Sequence, residues 1–384
     1  ALGKLGVDWH EFNKAVGDAP WIIHDSMQDL PGFFDIGLRP RALFDTEIAA
    51  KLLGRNRFGL SSVTEYYLGL TLAKEHSAAD WSYRPLPRDW RNYAALDVEL
   101  LIELEEVMSG ELKKQGKLLW ANQEFAHLLS KGAQKKSPHP NPWLRISHIS
   151  VLMHDKVGLM IAKELWQKRD ELACQYDIAP TLLLSDAAII EAGKRKPSNS
   201  REFRSIRILN ERVRIHTGSE QDKMFERYAP IQRKIKPNVW KVVIEDAISR
   251  AKSGEVAIVS KLDDSSSKYG NYNDSGDSDN SADAGDSADS SDAQESQAAP
   301  RSMKYWRDHH PKRYERLQNV KQSLIKIAED THTPTEIIIK PQIIRNLCWQ
   351  DNIEHINVKE FLVEQGARTW QSDLIAESVT RAIM

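Results

Sequence analysis

The chain has two cysteines among 384 residues, Cys174 and Cys348, and neither belongs to a Cys-x-x-Cys pair. That scarcity excludes a cysteine-based zinc site and a disulfide-stapled scaffold, and it implies free thiols in a reducing, cytoplasmic setting. No apolar run is long enough to cross a bilayer. The opening Ala1-Leu2-Gly3-Lys4-Leu5-Gly6 lacks the apolar core of a secretory signal. No Gly-x-x-x-x-Gly-Lys-Ser/Thr phosphate loop occurs, so nothing here powers strand separation by that route. The aromatic strand pattern that reads RNA bases is also missing, which argues against sequence-specific base recognition.

What is present is a soluble, globular composition, 41% hydrophobic, of a length that suits two or three domains. The net charge of −2 conceals a division. Ten acids between Asp263 and Glu295 face one base, Lys268, for a local −9, so the remainder carries +7. A basic body beside an acidic tract suits polyanionic partners.

Residues 1–125 read as an α/β unit dominated by helices. Pro20–His24 and Ala42–Phe44 are strand candidates, the second opening a helix from Thr46 to Leu53. Gly59–Leu70 and Pro87–Gln115 read as helices, and the segment from Gly116 to Phe125 as their continuation. A connector, 126–144, includes the Lys, Ser and Pro-rich stretch 131–142. An all-helical unit follows over about 145–245. Residues 260–300 are Ser, Asp, Gly and Asn with almost no large apolar side chain, so they read as a disordered linker. The last unit, 301–384, is helical again. Pro180 through Ile190 aligns without gaps on Pro334 through Ile344, each after an amphipathic helix. An internal repeat and chance matching of apolar residues both account for that.

One feature stands out. Tyr93 and Asp97 lie one helical turn apart on a helix read from Pro87 to about Met108, beside the apolar series Ala94, Val98, Leu101, Leu104 and Met108. A partly desolvated carboxylate there is costly unless it is paired, hydrogen-bonded or metal-bound. Upstream, Asp29 follows the strand and His24. It also reads as the acid of a capping box, Ser26-Met27-Gln28-Asp29. His24 reads most simply as a strand-end histidine, and Trp81 and Trp120 as packing anchors.

In that order, Asp29 after His24, then Phe44-Asp45-Thr46, then Lys74 to Trp81 with Arg84-Pro85-Leu86, then Tyr93-x-x-x-Asp97, the chain resembles the ribonuclease D family of 3′–5′ exonucleases, in the tyrosine-bearing class with four acidic motif residues. The resemblance implies an RNase H-like α/β exonuclease domain, partial here, followed by two all-α HRDC-like domains. It implies a metal-dependent exoribonuclease that trims RNA 3′ ends, such as those of tRNA precursors. Two divalent ions, Mg²⁺ or Mn²⁺, suit acidic oxygen ligands in such chemistry. By the resemblance, Asp97 binds the ion that activates water, Tyr93 orients that water, and Asp29 helps hold the second ion. His24, Lys74, His76 and Arg84 are candidates to face the phosphate backbone. So are Lys194, Arg195, Arg201 and Arg204, part of a basic run in the second unit whose local balance is +6 when Glu202 and Glu211 are counted.

The chain departs from the family pattern at its first motif, an Asp-x-Glu that supplies two further carboxylates. Asp45-Thr46-Glu47 has the letters but follows Asp29, and Asp8-Trp9-His10-Glu11 has one residue too many, with Asp8 suited to a helix cap. The expectation is therefore a chain truncated before that motif, inactive or slow as it stands. Two alternatives remain open: a non-catalytic RNA-binding protein derived from such a nuclease, and a DNA 3′–5′ exonuclease.

Overall fold

The structure is a computed structural model that describes residues 9–72, 79–134, 140–214, 225–255, 257, 299–300 and 302–384. The acidic tract from 263 to 295, Asp8, and the candidates Lys74 and His76 lie outside the described residues. Contacts divide the chain into two compact units. One comprises Ala1–Ser77, Pro87–Lys136 and Gly285–Met384, and the other Ala78–Leu86 and Ser137–Ala284.

The first unit opens with α1 (Trp9–Val16), β1 (Pro20–Ile23), α2 (Leu30–Asp35), β2 (Ala42–Asp45), α3 (Thr46–Leu52) and α4 (Leu60–Leu68). The two strands pair in parallel, Pro20 against Ala42 through Ile23 against Asp45. Parallel neighbours need a crossover, and α2 supplies it. Asp45 ends β2 and caps α3, accepting from the backbone N–H of Glu47 at 2.9 Å and Ile48 at 3.0 Å.

Downstream, the expected single helix is two: α5 (Arg88–Glu99) and α6 (Leu101–Lys114), broken at Leu100. The apolar series is broken with it. Leu101, Leu104 and Met108 are buried, whereas Ala94 and Val98 are exposed. The series mixed one core-facing stripe with apolar residues on a solvated helix, and spacing alone cannot separate them. Nor does α6 run on through Gly116. That residue takes a left-handed φ of 72° before α7 (Leu118–Ala133), so the chain turns where continuous helix was expected.

In the second unit, short 3₁₀ turns at Pro142–Arg145 and Ile149–Leu152 lead into α8 (Lys156–Tyr176), α9 (Pro180–Leu183), α10 (Asp186–Arg195), α11 (Ser200–Ser205), α12 (Arg207–Asn210), α13 (Ala229–Lys234) and α14 (Asn238–Lys252). Ser185 caps α10 through the Ala188 N–H, as its position suggests. Met160, Ile161, Leu165, Ile189, Trp240 and Ile244 fill the core. Residues 78–86 join this unit through Asp80, whose carboxylate meets Arg227 at 2.8 Å, and through Ser82, whose hydroxyl lies 3.0 Å from that of Tyr228.

The C-terminal part of the first unit holds α15 (Met303–His309), α16 (Pro311–Thr331), α17 (Thr335–Ile338), α18 (Pro341–Trp349), α19 (Val358–Glu364) and α20 (Thr369–Ile383). Ala299, read as linker, is buried and donates its N–H to Asn346. The two aligned segments share a local form. Each follows a 21-residue helix closed by a left-handed residue, Asp177 at φ 51° and His332 at φ 50°. Each then has a one-turn helix ended by an extended residue, Leu184 or Ile339.

This C-terminal part packs into the core of the first unit. Trp370 is buried among Phe44, Leu104, Met108 and Phe125, and stacks on Trp120 at 4.7 Å. Glu124, 7% exposed at its side chain, accepts from Arg368 Nε at 2.7 Å and Nη2 at 2.8 Å, and from Trp370 Nε1 at 2.8 Å. Lys117 Nζ donates to the carbonyls of Leu52 at 2.7 Å and His332 at 3.4 Å. Gly54 lets the backbones meet, since a Cβ there would stand 2.4 Å from the His332 oxygen.

Two outcomes test this junction. Glu124→Ala leaves the partly buried Arg368 and the buried Trp370 indole N–H without their acceptor and lowers stability by roughly 1–3 kcal/mol in urea titration. A loss near zero contradicts the account. Burial pulls the Lys117 ammonium down to about 8 from 10.5, so the unfolded chain binds that proton more tightly. Stability therefore gains from this group as pH rises between those values, and Lys117→Met flattens the stability–pH curve there. An unchanged slope contradicts the assignment.

Candidate active site

Asp29 stands just after the turn that leaves β1 and just before α2. The expected capping box does not form: Asp29 occupies the N-cap position with no side-chain cap hydrogen bond. The turn is closed by backbone instead, with the Leu30 N–H donating to Ser26 at 2.8 Å. The Ser26 N–H is taken by the Asp45 carboxylate at 2.8 Å. Asp45, the acid of the Asp-Thr-Glu decoy, thus accepts three backbone N–H groups and is 1% exposed. Asp29 is exposed, and among the described residues its carboxylate accepts no hydrogen bond. One aspartate is spent on structure and the other is available to a ligand.

The Asp29 pKa is raised, first by desolvation and then by the Asp25 charge. Asp25, with a left-handed φ of 54°, was missed from the sequence as a neighbour of the site. The signal was there: two acids four residues apart after a strand. His24 places Nδ1 2.9 Å from the Thr46 hydroxyl, and burial lowers its pKa. It behaves as the strand-end histidine that its position suggested.

On α5 only Trp90 is buried. Tyr93 and Asp97, both half-buried, are brought together by a hydrogen bond from the phenol to the carboxylate. Desolvation raises both pKa values. For Tyr93 the Asp97 charge adds to the rise, whereas the Tyr93 hydrogen bond opposes the rise at Asp97. The phenol therefore stays protonated at neutral pH and can orient a ligand but not act as a base.

The remaining candidates are solvated. Arg84 turns its guanidinium onto the carbonyls of Trp81 at 2.8 Å and Tyr83 at 2.7 Å. Lys194, Arg195, Arg201 and Arg204 are exposed on α10 and α11. The charge excess of that run is smaller than the sequence count. Arg195 pairs with Glu191 at 2.5 Å, Lys196 with Asp155 at 2.5 Å, and Arg212 with Glu226 at 2.8 Å. Those acids lay outside the count.

The carboxylates of Asp29 and Asp97 offer hard oxygen donors, which suit Mg²⁺ or Mn²⁺ better than a softer ion. In number they fall short of a closed centre: among the described residues no group of three or more His, Cys, Asp or Glu is arranged to hold a metal.

Three family models match this layout. A 3′-5′ exonuclease model covers residues 4–113, an HRDC domain model 158–220, and a 3′ to 5′ exonuclease C-terminal domain model 299–383. The crystal structure of a protein from Bifidobacterium adolescentis is 56% identical with a TM-score of 0.82, covering 100% of this chain and 82% of that one. Ribonuclease D of Zymomonas mobilis subsp. mobilis is 37% identical over 191 residues, 49% of this chain and 48% of its own. The Escherichia coli RNase D structure shows the same fold at 19% identity and TM-score 0.54, over 98% of this chain and 83% of that one. An RNase H-like exonuclease domain with appended HRDC-type helices is the class that this architecture defines. The chain carries a 3′-5′ exonuclease domain and an HRDC domain, and over about half its length it is similar in sequence to ribonucleases D. It spans about half the length of the curated relatives it matches.

The division of labour between the aspartates is measurable. Asp45→Ala costs about 1–3 kcal/mol through lost capping and an unpaired buried N–H, whereas Asp29→Ala stays within about 0.5 kcal/mol. Equal losses contradict it. For Asp97, a raised pKa means that the folded chain holds the proton more tightly, so stability falls as pH rises from 3.8 through the raised value. Asp97→Asn removes that loss, so at pH 7 in EDTA its melting temperature equals or exceeds that of the parent. A lower one contradicts the desolvation account.

Proposed function

We propose that this chain carries part of the catalytic centre of a metal-dependent 3′–5′ exoribonuclease that trims RNA 3′ ends, tRNA precursors among them. The observation that supports it best is the contrast at β1: Asp45 absorbs the backbone donors, and Asp29 is left exposed with no structural hydrogen bond. Asp29 and Asp97 are proposed to hold two divalent ions, Mg²⁺ or Mn²⁺. When bound, such ions supply charge neutralisation across the attacking and leaving oxygens of the phosphodiester.

The chain's own residues do the rest. Tyr93 keeps its proton, so its hydroxyl serves to position the attacking water. Asp97 must be ionised to serve as a ligand. Water adds at phosphorus, the bond to the preceding nucleotide's 3′ oxygen breaks, and a nucleoside monophosphate leaves. The exposed cations Arg201 and Arg204 are proposed to bind RNA phosphates. RNA is preferred to DNA because the named relatives are ribonucleases. The two free cysteines fit a cytoplasmic setting.

A second reading, a non-catalytic RNA-binding protein, draws on the missing three-ligand group among the described residues. The complete translation product of the gene separates the two. With Mg²⁺ or Mn²⁺ it releases 3′-labelled mononucleotides stepwise from single-stranded RNA, and Asp29→Asn or Asp97→Asn each lowers the rate by at least about 100-fold, the upper range for disturbing even an outer-shell metal partner. RNA binding without stepwise release supports the second reading. Faster release from DNA than from RNA of the same sequence overturns the substrate assignment.

A further inference from the structure

The aromatic residues at the start of the C-terminal module play no part in the chemistry above, yet their arrangement is specific. On α15, Tyr305 and His309 stand one turn apart with ring centroids 4.6 Å apart and planes within 21°. His309 Nδ1 lies 3.2 Å from the Tyr305 carbonyl oxygen, which holds the imidazole over the phenol. His310 follows, 5.6 Å from Tyr305, and meets Trp349 edge-on at 4.7 Å. Trp306 is fully buried beneath, anchored by its indole N–H to the Pro300 carbonyl at 2.7 Å. The result is a stacked phenol–imidazole pair on an anchored helix, with Trp349 tilted at 41° to the phenol. Tyr305 is 41% exposed, far more than a core-packing ring, and His309 is exposed as well.

Cations border the surface. The Arg313 guanidinium lies 4.5 Å over the Trp349 ring and pairs with Asp351. Lys304 and Lys312 are exposed and have no acidic partner among the described residues. Flat faces with ordered rings, next to unneutralised ammonium groups, match the two demands of a single nucleic-acid strand: bases stack on π-faces and phosphates meet cations. Every base has a π-face, so such a site tolerates any sequence. That agrees with a chain lacking base-reading strand aromatics. An apolar protein partner needs neither the ammonium groups nor the stacked rings.

We propose that the Tyr305–His309 ledge, bordered by Lys304 and Lys312, is a stacking site for single-stranded RNA. The choice of RNA rests on the function proposed above, whereas the site itself rests on the ledge.

The test is fluorescence anisotropy of a labelled twelve-nucleotide oligouridylate with the complete translation product in EDTA, where no turnover occurs. Tyr305→Ala/His309→Ala weakens binding by about 5- to 150-fold, the range of one lost base stack, and Tyr305→Phe retains it. Lys304→Ala/Lys312→Ala reduces the slope of log affinity against log salt by about 1.4, about 0.7 per phosphate contact on a single strand. Circular dichroism checks that each variant stays folded, which the exposure of these side chains favours. Unchanged affinity and salt slope in both double variants overturn the ledge, the outcome expected if it serves a protein partner. Intact oligonucleotide binding that depends on the ledge, without stepwise 3′ release by the parent, overturns the exonuclease reading and leaves the ledge in place.

Discussion

The carboxylate of Asp45 governs the geometry around the candidate centre. Three backbone N–H groups converge on it, one from the turn after β1 and two from the first turn of α3. A buried carboxylate with three donors is strongly held, since each charge-assisted bond replaces water that burial removed. The turn from β1 is thereby locked to the end of β2, at the same edge where Ile23 pairs with Asp45. Asp29 is carried by that locked turn. Asp29 itself is exposed and makes no side-chain cap hydrogen bond to α2, so Asp45 is scaffold and Asp29 is the acid proposed as a ligand.

A second constraint ties the exonuclease core to the C-terminal module. Glu124 is nearly buried, and such a charge is tolerated only with its lone pairs filled. Arg368 and Trp370 fill them from far along the chain. Trp370 then completes the core that packs β2, α3, α6 and α7. The module is thus part of the folded unit. Any surface it bears, the Tyr305 ledge included, is carried on the same body as Asp29 and Asp97.

Much of this was legible in the sequence because it follows from local rules. Short apolar runs gave β1 and β2, and the order of Asp29, Tyr93 and Asp97 pointed to the exonuclease domain whose family model matches residues 4–113. The failures have separate causes. Ala94 and Val98 keep the spacing of Leu101 and Leu104, yet nothing packs over them, and burial is a property of the partner surface. Gly116 stops a helix because its φ is left-handed, a conformation that the flanking helix formers conceal. The Glu124–Arg368 pair spans 244 residues, beyond any local pattern. The basic run seemed stronger than it is, because Asp155 and Glu226 reach its cations from other elements.

The central claim is that Asp29 and Asp97, and not the acids of the Asp-Thr-Glu segment, hold a divalent cation. Electron paramagnetic resonance of Mn²⁺ added to the complete translation product tests it without recourse to turnover. The account predicts that Asp29→Asn and Asp97→Asn each reduce bound Mn²⁺ sharply, while Glu47→Gln leaves it as in the parent. Equal Mn²⁺ binding in all three variants would contradict it.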